Sequence, residues 1–159
     1  MGKNMMAKNL ILVLCFFLIK VGAQAKADLV LGKWLATDHS VAVEVYKKNN
    51  EYKARVIWFD ERLGSGLPMD KRFDTENPNP ALRHRKILGM EILHGLHFNT
   101  KTKSWEQGKI YDATSGRFWD SSAQLTENGL MKVRGYWKYK WIGKTMTFKK
   151  TNNEILAKL

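Results

Sequence analysis

Val41, Val43 and Val45 alternate with Ala42, Glu44 and Tyr46, a two-residue period that predicts a half-buried strand. After the polar turn Lys47-Lys48-Asn49-Asn50-Glu51 the alternation resumes and sets Tyr52, Ala54, Val56 and Trp58 on one face, so this region reads as a hairpin. Further strands are expected at Met90–Phe98, Ser104–Asp112, Arg117–Leu125, Leu130–Trp137 and Trp141–Lys149. Turn-forming residues separate them at Asn99-Thr100-Lys101, Thr114-Ser115-Gly116, Asn128-Gly129 and Gly143. Short, closely spaced strands with few helical stretches predict an all-β fold, a small antiparallel β-barrel in preference to a sandwich. Residues 60–86 break the pattern: they hold all three prolines and many charges with no sustained period, and read as one long loop. A helical turn is expected inside it at Asn79-Pro80, where Asn caps and Pro suits the first position. Trp137, Tyr139 and Trp141 fall at strand spacing opposite Tyr136, Lys138 and Lys140. The pattern favours that stripe as core; exposed, it would stack on sugars or settle at a membrane interface.

The N-terminus has a different pattern. Lys3 and Lys8 precede an unbroken apolar run from Leu10 to Ile19, and Ala23-Gln24-Ala25 follows as a small-x-small cleavage site. The run is about half the roughly 20 residues that a spanning helix needs, so residues 1–25 are expected to be a cleaved export signal, leaving no membrane anchor. The division expected is signal 1–25, one barrel domain 26–150 and a tail 151–159. Cys15, the sole cysteine, would leave with the signal, so the processed chain can form no intramolecular disulfide although an oxidising compartment, periplasmic or extracellular, is expected. The whole chain carries 27 Lys+Arg against 15 Asp+Glu; removing Lys3, Lys8 and Lys20 leaves 24 against 15, a net charge of +9. That charge attracts anionic partners at long range, and export makes nucleic acid the least favoured of them.

Four stretches, in order, resemble a known family: Gly32-Lys33-Trp34; Asp74-Thr75-Glu76-Asn77-Pro78-Asn79-Pro80-Ala81-Leu82-Arg83 with Arg85 and Gly89; Trp105 and Gly108 leading to Ile110-Tyr111-Asp112; and Val133-Arg134-Gly135-Tyr136. Together they resemble the exported bacterial family catalogued as domain of unknown function 2147, over nearly the whole processed chain. The resemblance implies a lipocalin-like, or calycin-like, barrel and supplies no activity. In that fold a Gly-x-Trp closes one barrel end and a basic side chain from the last strand covers the indole; Trp34 with Lys149 or Lys150 resembles the pair.

The candidate ligand-binding residues are Asp74, Asn77, Arg83, Arg85, Tyr111, Asp112, Arg134 and Tyr136. Pro78 and Pro80 stiffen the loop before any tertiary contact forms, and guanidinium groups fit carboxylate or phosphate through paired hydrogen bonds. The loop therefore reads either as a receiver for an anionic head group or as a segment held by its own Asp and Asn side chains. Asp112 and Arg134 could pair with each other or bind a polar ligand group, and strand parity leans Arg134 towards solvent.

Catalytic signatures are missing. His94 and His97, three apart on an expected strand, should point to opposite faces, and no cysteine ligand survives processing, so neither metal nor cofactor is expected. Gly64-Ser65-Gly66 lacks nucleophile-elbow spacing. The expectation is a monomeric, non-enzymatic binding module for a lipid-like amphiphile or anionic small molecule, its tail in the barrel and its head on Arg83, Arg85 or Arg134. The rival is a filled barrel acting by its surface on cell-wall polymer or a protein partner; a hydrolase built on Asp74, Asp112 and Tyr111 or Tyr136 ranks third.

Overall fold

The computed structural model describes residues 26–159, so the expected signal, residues 1–25, lies outside the described part. Eight strands follow in order: β1 Gly32–Ala36, β2 Val41–Lys48, β3 Glu51–Phe59, β4 Glu91–Asn99, β5 Ser104–Asp112, β6 Arg117–Leu125, β7 Met131–Tyr136 and β8 Gly143–Lys150. Each pairs antiparallel with the next, and β8 returns to β1, where Trp34 lies opposite Lys150. Closure leaves no edge strand to aggregate.

Alternation of small and large inward side chains fills the interior. Trp34 and Ala36, Val43 and Val45, Tyr52 and Ala54, Leu93 and Leu96, Trp105, Ala123, Met131 and Val133, and Phe148 come from the eight strands in turn and form one cluster. At Gly108 a Cβ would come within 2.6 Å of Leu96 Cδ2, so glycine makes room for that leucine in the core. A 3₁₀ turn, Asp28–Val30, plugs one end. Ala27 and Val30 are buried there, and their carbonyls accept from the Trp105 and Trp34 indole N–H groups at 3.2 and 2.8 Å. Both tryptophans thus satisfy their polar atom without leaving the core. Of the two candidate cations it is Lys150 that covers Trp34, its ammonium 4.5 Å from the ring centroid.

Four local expectations change. The alternation pattern did not mark β1 as a strand, because Trp34, Leu35 and Ala36 are buried in succession and show no period of two. The β2–β3 register shifts between Ala42 and Val43, and the extra residue, Ile57, ends the alternation: Trp58 is half-buried and Phe59 is buried. An irregularity around Gly95 lets Leu93 and Leu96 both enter the core, which puts His94 and His97 on the same outer side, opposite Lys109 and Glu106. Among the described residues no group of three or more His, Cys, Asp or Glu is placed to hold a metal ion. Last, β7 stops at Tyr136 and β8 starts at Gly143, so Trp137, Tyr139 and Trp141 lie in the connection rather than in the core.

Candidate functional site

Residues 60–90 connect β3 to β4, and their second half is locally ordered by its own polar side chains. Asp74 N–H donates to Arg85 O at 2.9 Å and Ile87 N–H to Arg72 O at 3.1 Å, making a short two-stranded ribbon around the Phe73–Lys86 bridge. Within the ribbon Asn77 Oδ1 accepts from Asn79 N–H at 2.9 Å, and Asn79 Oδ1 accepts from Ala81 N–H at 3.1 Å. The second of these caps the 3₁₀ turn Pro80–Leu82, the helical turn anticipated there. Arg83 Nε closes the loop by donating to Asn77 O at 2.9 Å.

Asp74 is the centre. It is 0% exposed and accepts from Tyr111 OH at 2.6 Å, Asn77 Nδ2 at 2.7 Å and Arg85 Nη2 at 2.7 Å. Burial alone would raise its pKa, but the three donors and the nearby guanidinium outweigh burial and hold the carboxyl below its ordinary value. The same contact works in reverse on Tyr111: burial first, then the hydrogen bond to the carboxylate, pushes the phenol up to about 12. Tyr111 faces away from the core, because Gly108 and Ile110 point inwards. Its ring stacks on Phe118 at 4.8 Å and lies under the Arg85 guanidinium at 5.9 Å. At Gly116, in the β5–β6 turn, φ is +67° and a Cβ would sit 2.0 Å from Glu76 O, so the turn and the loop are in direct contact.

Five of the eight sequence candidates, Asp74, Asn77, Arg83, Arg85 and Tyr111, therefore meet in one assembly on the outside of β5. Both carboxylate oxygens of Asp74 are engaged and its side chain is fully buried, so the carboxylate is committed within the fold rather than presented to solvent. Among the buried side-chain polar atoms of this group, Arg85 Nε alone lacks a partner among the described residues.

The remaining three stand elsewhere. Asp112 holds the β5–β6 turn, accepting from Thr114 N–H at 3.0 Å and from the Thr114 and Ser115 hydroxyls, each at 2.6 Å. Burial raises its pKa and those donors, which outweigh burial, lower it. Arg134 does not pair with Asp112; its guanidinium donates to Lys140 O and, at 2.8 Å, to Thr145 Oγ1. Parity had leaned it outwards, and outwards it points, between the buried Val133 and Gly135, the latter half-buried over Ile110. Tyr136 is half-buried at the end of β7, opposite Asp120 and Gly143.

The Trp137, Tyr139 and Trp141 stripe, which the sequence pattern favoured as core over an exposed surface, forms a second region in the β7–β8 connection and is exposed. Trp137, Tyr139, Trp141 and Ile142 are 55%, 57%, 76% and 43% exposed. Trp137 leans edge-on against Trp119 at 6.0 Å, while Tyr139 and Trp141 stack on each other at 5.7 Å with planes 14° apart. The backbone is fixed from within by Trp137 N–H to Ile142 O at 3.0 Å and Ile142 N–H to Tyr139 O at 2.9 Å. Arg134 braces it from the strand, and Lys140 ties it to Glu106 on β5 at 3.3 Å. Lys138 sits in the left-handed region at φ 58°. The signal that could have found this tip is the excess of cations beside its aromatics: four bases and no carboxylate from Arg134 to Lys144. Near its anchor Glu106, residues 97–101 with Glu106 and Gln107 line a surface depression of about 420 Å³.

The geometry can now be set beside known proteins. Residues 32–150, from the first residue of β1 to the last of β8, match the profile of a family described as "Uncharacterized protein conserved in bacteria", domain of unknown function 2147. The chain belongs to this family. The matched span takes in both the Asp74 assembly and the aromatic tip and leaves out the 3₁₀ plug and the C-terminal turn Asn153–Leu156. Among solved structures, a Helicobacter pylori protein, HP1028, described as belonging to the lipocalin family, superposes with a TM-score of 0.66. It is 23% identical over 81% of this chain and 87% of that one, a likeness of fold alone. The family member is thus a lipocalin-like barrel. No curated protein matches the chain.

Proposed function

We propose that the protein is an exported, non-enzymatic binding module, periplasmic or secreted, that works through the outer surface of a filled barrel. The observation carrying this reading is the braced tip at Trp137–Ile142, which keeps three aromatic rings and an isoleucine in water beside a core to which every strand contributes. Large apolar side chains held out of a completed core and rimmed by charge mark an interaction surface. The charge defines the partner: from Asn128 to Asn153 the chain has seven Lys and Arg residues and no Asp or Glu, so the surface favours an anionic component of the envelope.

The candidate arginines support this surface reading over capture of a small amphiphile inside the barrel. Arg83 and Arg85 are engaged with Asn77 and Asp74, and Arg134 with Lys140 and Thr145, so none stands open at the end of an apolar channel. The test is co-sedimentation of the purified processed protein with peptidoglycan sacculi and with anionic vesicles, against Trp137→Ala/Tyr139→Ala/Trp141→Ala. Retention that the triple variant loses is expected. Mass spectrometry of an organic extract should find no stoichiometric lipid; one lipid per chain would return the reading to capture in the barrel.

A further inference from the structure

Resting on that surface reading, we infer that the Trp137–Ile142 tip seats the protein on an anionic lipid bilayer, with Trp137, Tyr139 and Trp141 at head-group depth and Lys138 and Lys144 on lipid phosphates. Three observations select a bilayer over a glycan. The first is what the tip lacks. Sugar hydroxyls both donate and accept, so a sugar site needs carboxylate or amide acceptors beside its ring platform. Residues 137–143 contain no Asp, Glu, Asn, Gln, Ser or Thr. A phosphodiester only accepts, and ammonium groups, which only donate, suffice for it.

The second observation is Ile142. A branched aliphatic side chain contributes nothing to stacking on a sugar, yet it is 43% exposed next to Trp141, where it adds apolar area for insertion among acyl chains. The third is the order Trp-Lys-Tyr-Lys-Trp-Ile-Gly-Lys at Trp137–Lys144. Tryptophan and tyrosine settle at membrane–water interfaces because one part of the ring is apolar and another hydrogen-bonds, while lysine stems lie along apolar surface and deliver charge to the head groups. Lys138 makes no hydrogen bond or ion pair among the described residues, so its charge is open to lipid, whereas Lys140 is committed to Glu106. Because the tip is already braced by Arg134, docking costs little ordering entropy. A patch this small gives reversible, salt-sensitive attachment by shallow insertion.

The experiment uses the purified processed protein with vesicles of phosphatidylglycerol and phosphatidylethanolamine, vesicles of phosphatidylcholine, and peptidoglycan sacculi, at low and high salt. Co-sedimentation and tryptophan emission are the readouts. Binding to the anionic vesicles only, with a blue shift and weakening in salt, is expected. Lys138→Glu/Lys144→Glu should weaken it about tenfold or more, since each basic residue near an anionic surface contributes a comparable electrostatic increment. Trp141→Ser/Ile142→Ser should abolish the blue shift, with thermal unfolding unchanged as the control for folding. Equal binding to neutral vesicles, or unaltered binding by both variants, overturns the inference. Retention on sacculi but not vesicles, lost in the aromatic variants, overturns the lipid assignment and leaves the surface reading intact. Retention on neither removes both.

Discussion

The Asp74 assembly and the Trp137–Ile142 tip draw on the same kinds of side chain, aromatics and strong bases, and differ in one component. Around Asp74 a buried carboxylate collects Arg85, Tyr111 and Asn77, so the Asp74 and Arg85 charges pair within the fold. Around Trp141 no carboxylate lies within the segment, the rings face water, and only Lys140 reaches across to an acid. A basic stretch becomes a structural fastening when an acid and an aromatic ring are folded onto it, as Asp74 of the same loop and Tyr111 of β5 are on Arg85, and an outward-facing surface when no acid is. Local sequence composition does not carry that information, because Asp74 and Tyr111 are 37 residues apart.

The comparison breaks most visibly at Asp74. Asp74→Ala leaves the Arg85 charge and the Tyr111 hydroxyl facing an apolar gap. Removing one partner of a buried ion pair costs about 3–5 kcal/mol, and since Arg85 keeps access to water the lower end of that range applies. A drop of about 10 °C in melting temperature is expected. The pH dependence has a defined sign. A carboxyl whose folded-state pKa lies below its ordinary 3.8 stabilises the fold above that pH and loses the contribution as the pH falls through the folded-state value. The gap between wild type and Asp74→Ala should therefore be constant above about pH 5 and close in acid. A gap that widens in acid would contradict the role given to the carboxylate.

Tyr111→Phe removes one of the three donors and nothing else. A hydrogen bond to a charged group contributes about 1.5–3 kcal/mol, so the loss should be smaller than at Asp74. Here the sign is opposite: the phenol, raised to about 12, contributes below pH 10, and that contribution disappears as the pH rises towards 12. Ultraviolet titration of the wild type should show two phenols ionising near 12, Tyr111 and Tyr46, the latter raised by burial and then by its hydrogen bond to Glu91, and the variant should show one. If the variant still shows both, the assignment to Tyr111 fails.

Gly116→Ala tests the contact between loop and turn. A non-glycine residue at φ +67° is strained, and the new methyl meets the Glu76 carbonyl, so the loop has to move. A loss of about 1–2 kcal/mol is expected, with amide exchange accelerating in residues 74–89 before it does in the barrel strands. Uniform acceleration would mean that the loop and the barrel open as one unit.

The parts of the fold legible in the sequence were those governed by local period and turn chemistry. Strands β2 to β6 fall close to where alternation put them, and the Asn79 cap and the Pro80 turn follow from residues adjacent in the chain. Where a bulge inserts a residue, as at Ile57 and near Gly95, period two fails, and inferences from parity about Trp58 and the two histidines fail with it. The candidate site was legible as composition and not as geometry: Asp74, Arg83, Arg85 and Tyr111 were named, but that Asp74 takes Arg85 across the loop ribbon and Tyr111 from β5, while Arg83 turns to the Asn77 carbonyl, depends on how the loop folds and docks on the barrel. The aromatic stripe was misread for a related reason. At strand spacing, three large aromatics look like core until it is clear that β7 ends at Tyr136.

The smallest effect on stability is expected where the effect on binding is largest. Trp141 is 76% exposed, so Trp141→Ser removes little buried area and leaves no polar group unsatisfied. Exposed substitutions of this kind stay within about 0.5 kcal/mol, and only the stacking on Tyr139 is lost. A melting temperature unchanged within a degree or two, together with weakened retention on the partner surface, would hold the two regions apart as fastening and interface. If Trp141→Ser instead unfolds the protein by more than about 2 kcal/mol, as truncating a core aromatic does, then the tip packs against something in solution that its exposure does not reveal. It would then belong with Asp74 as structure.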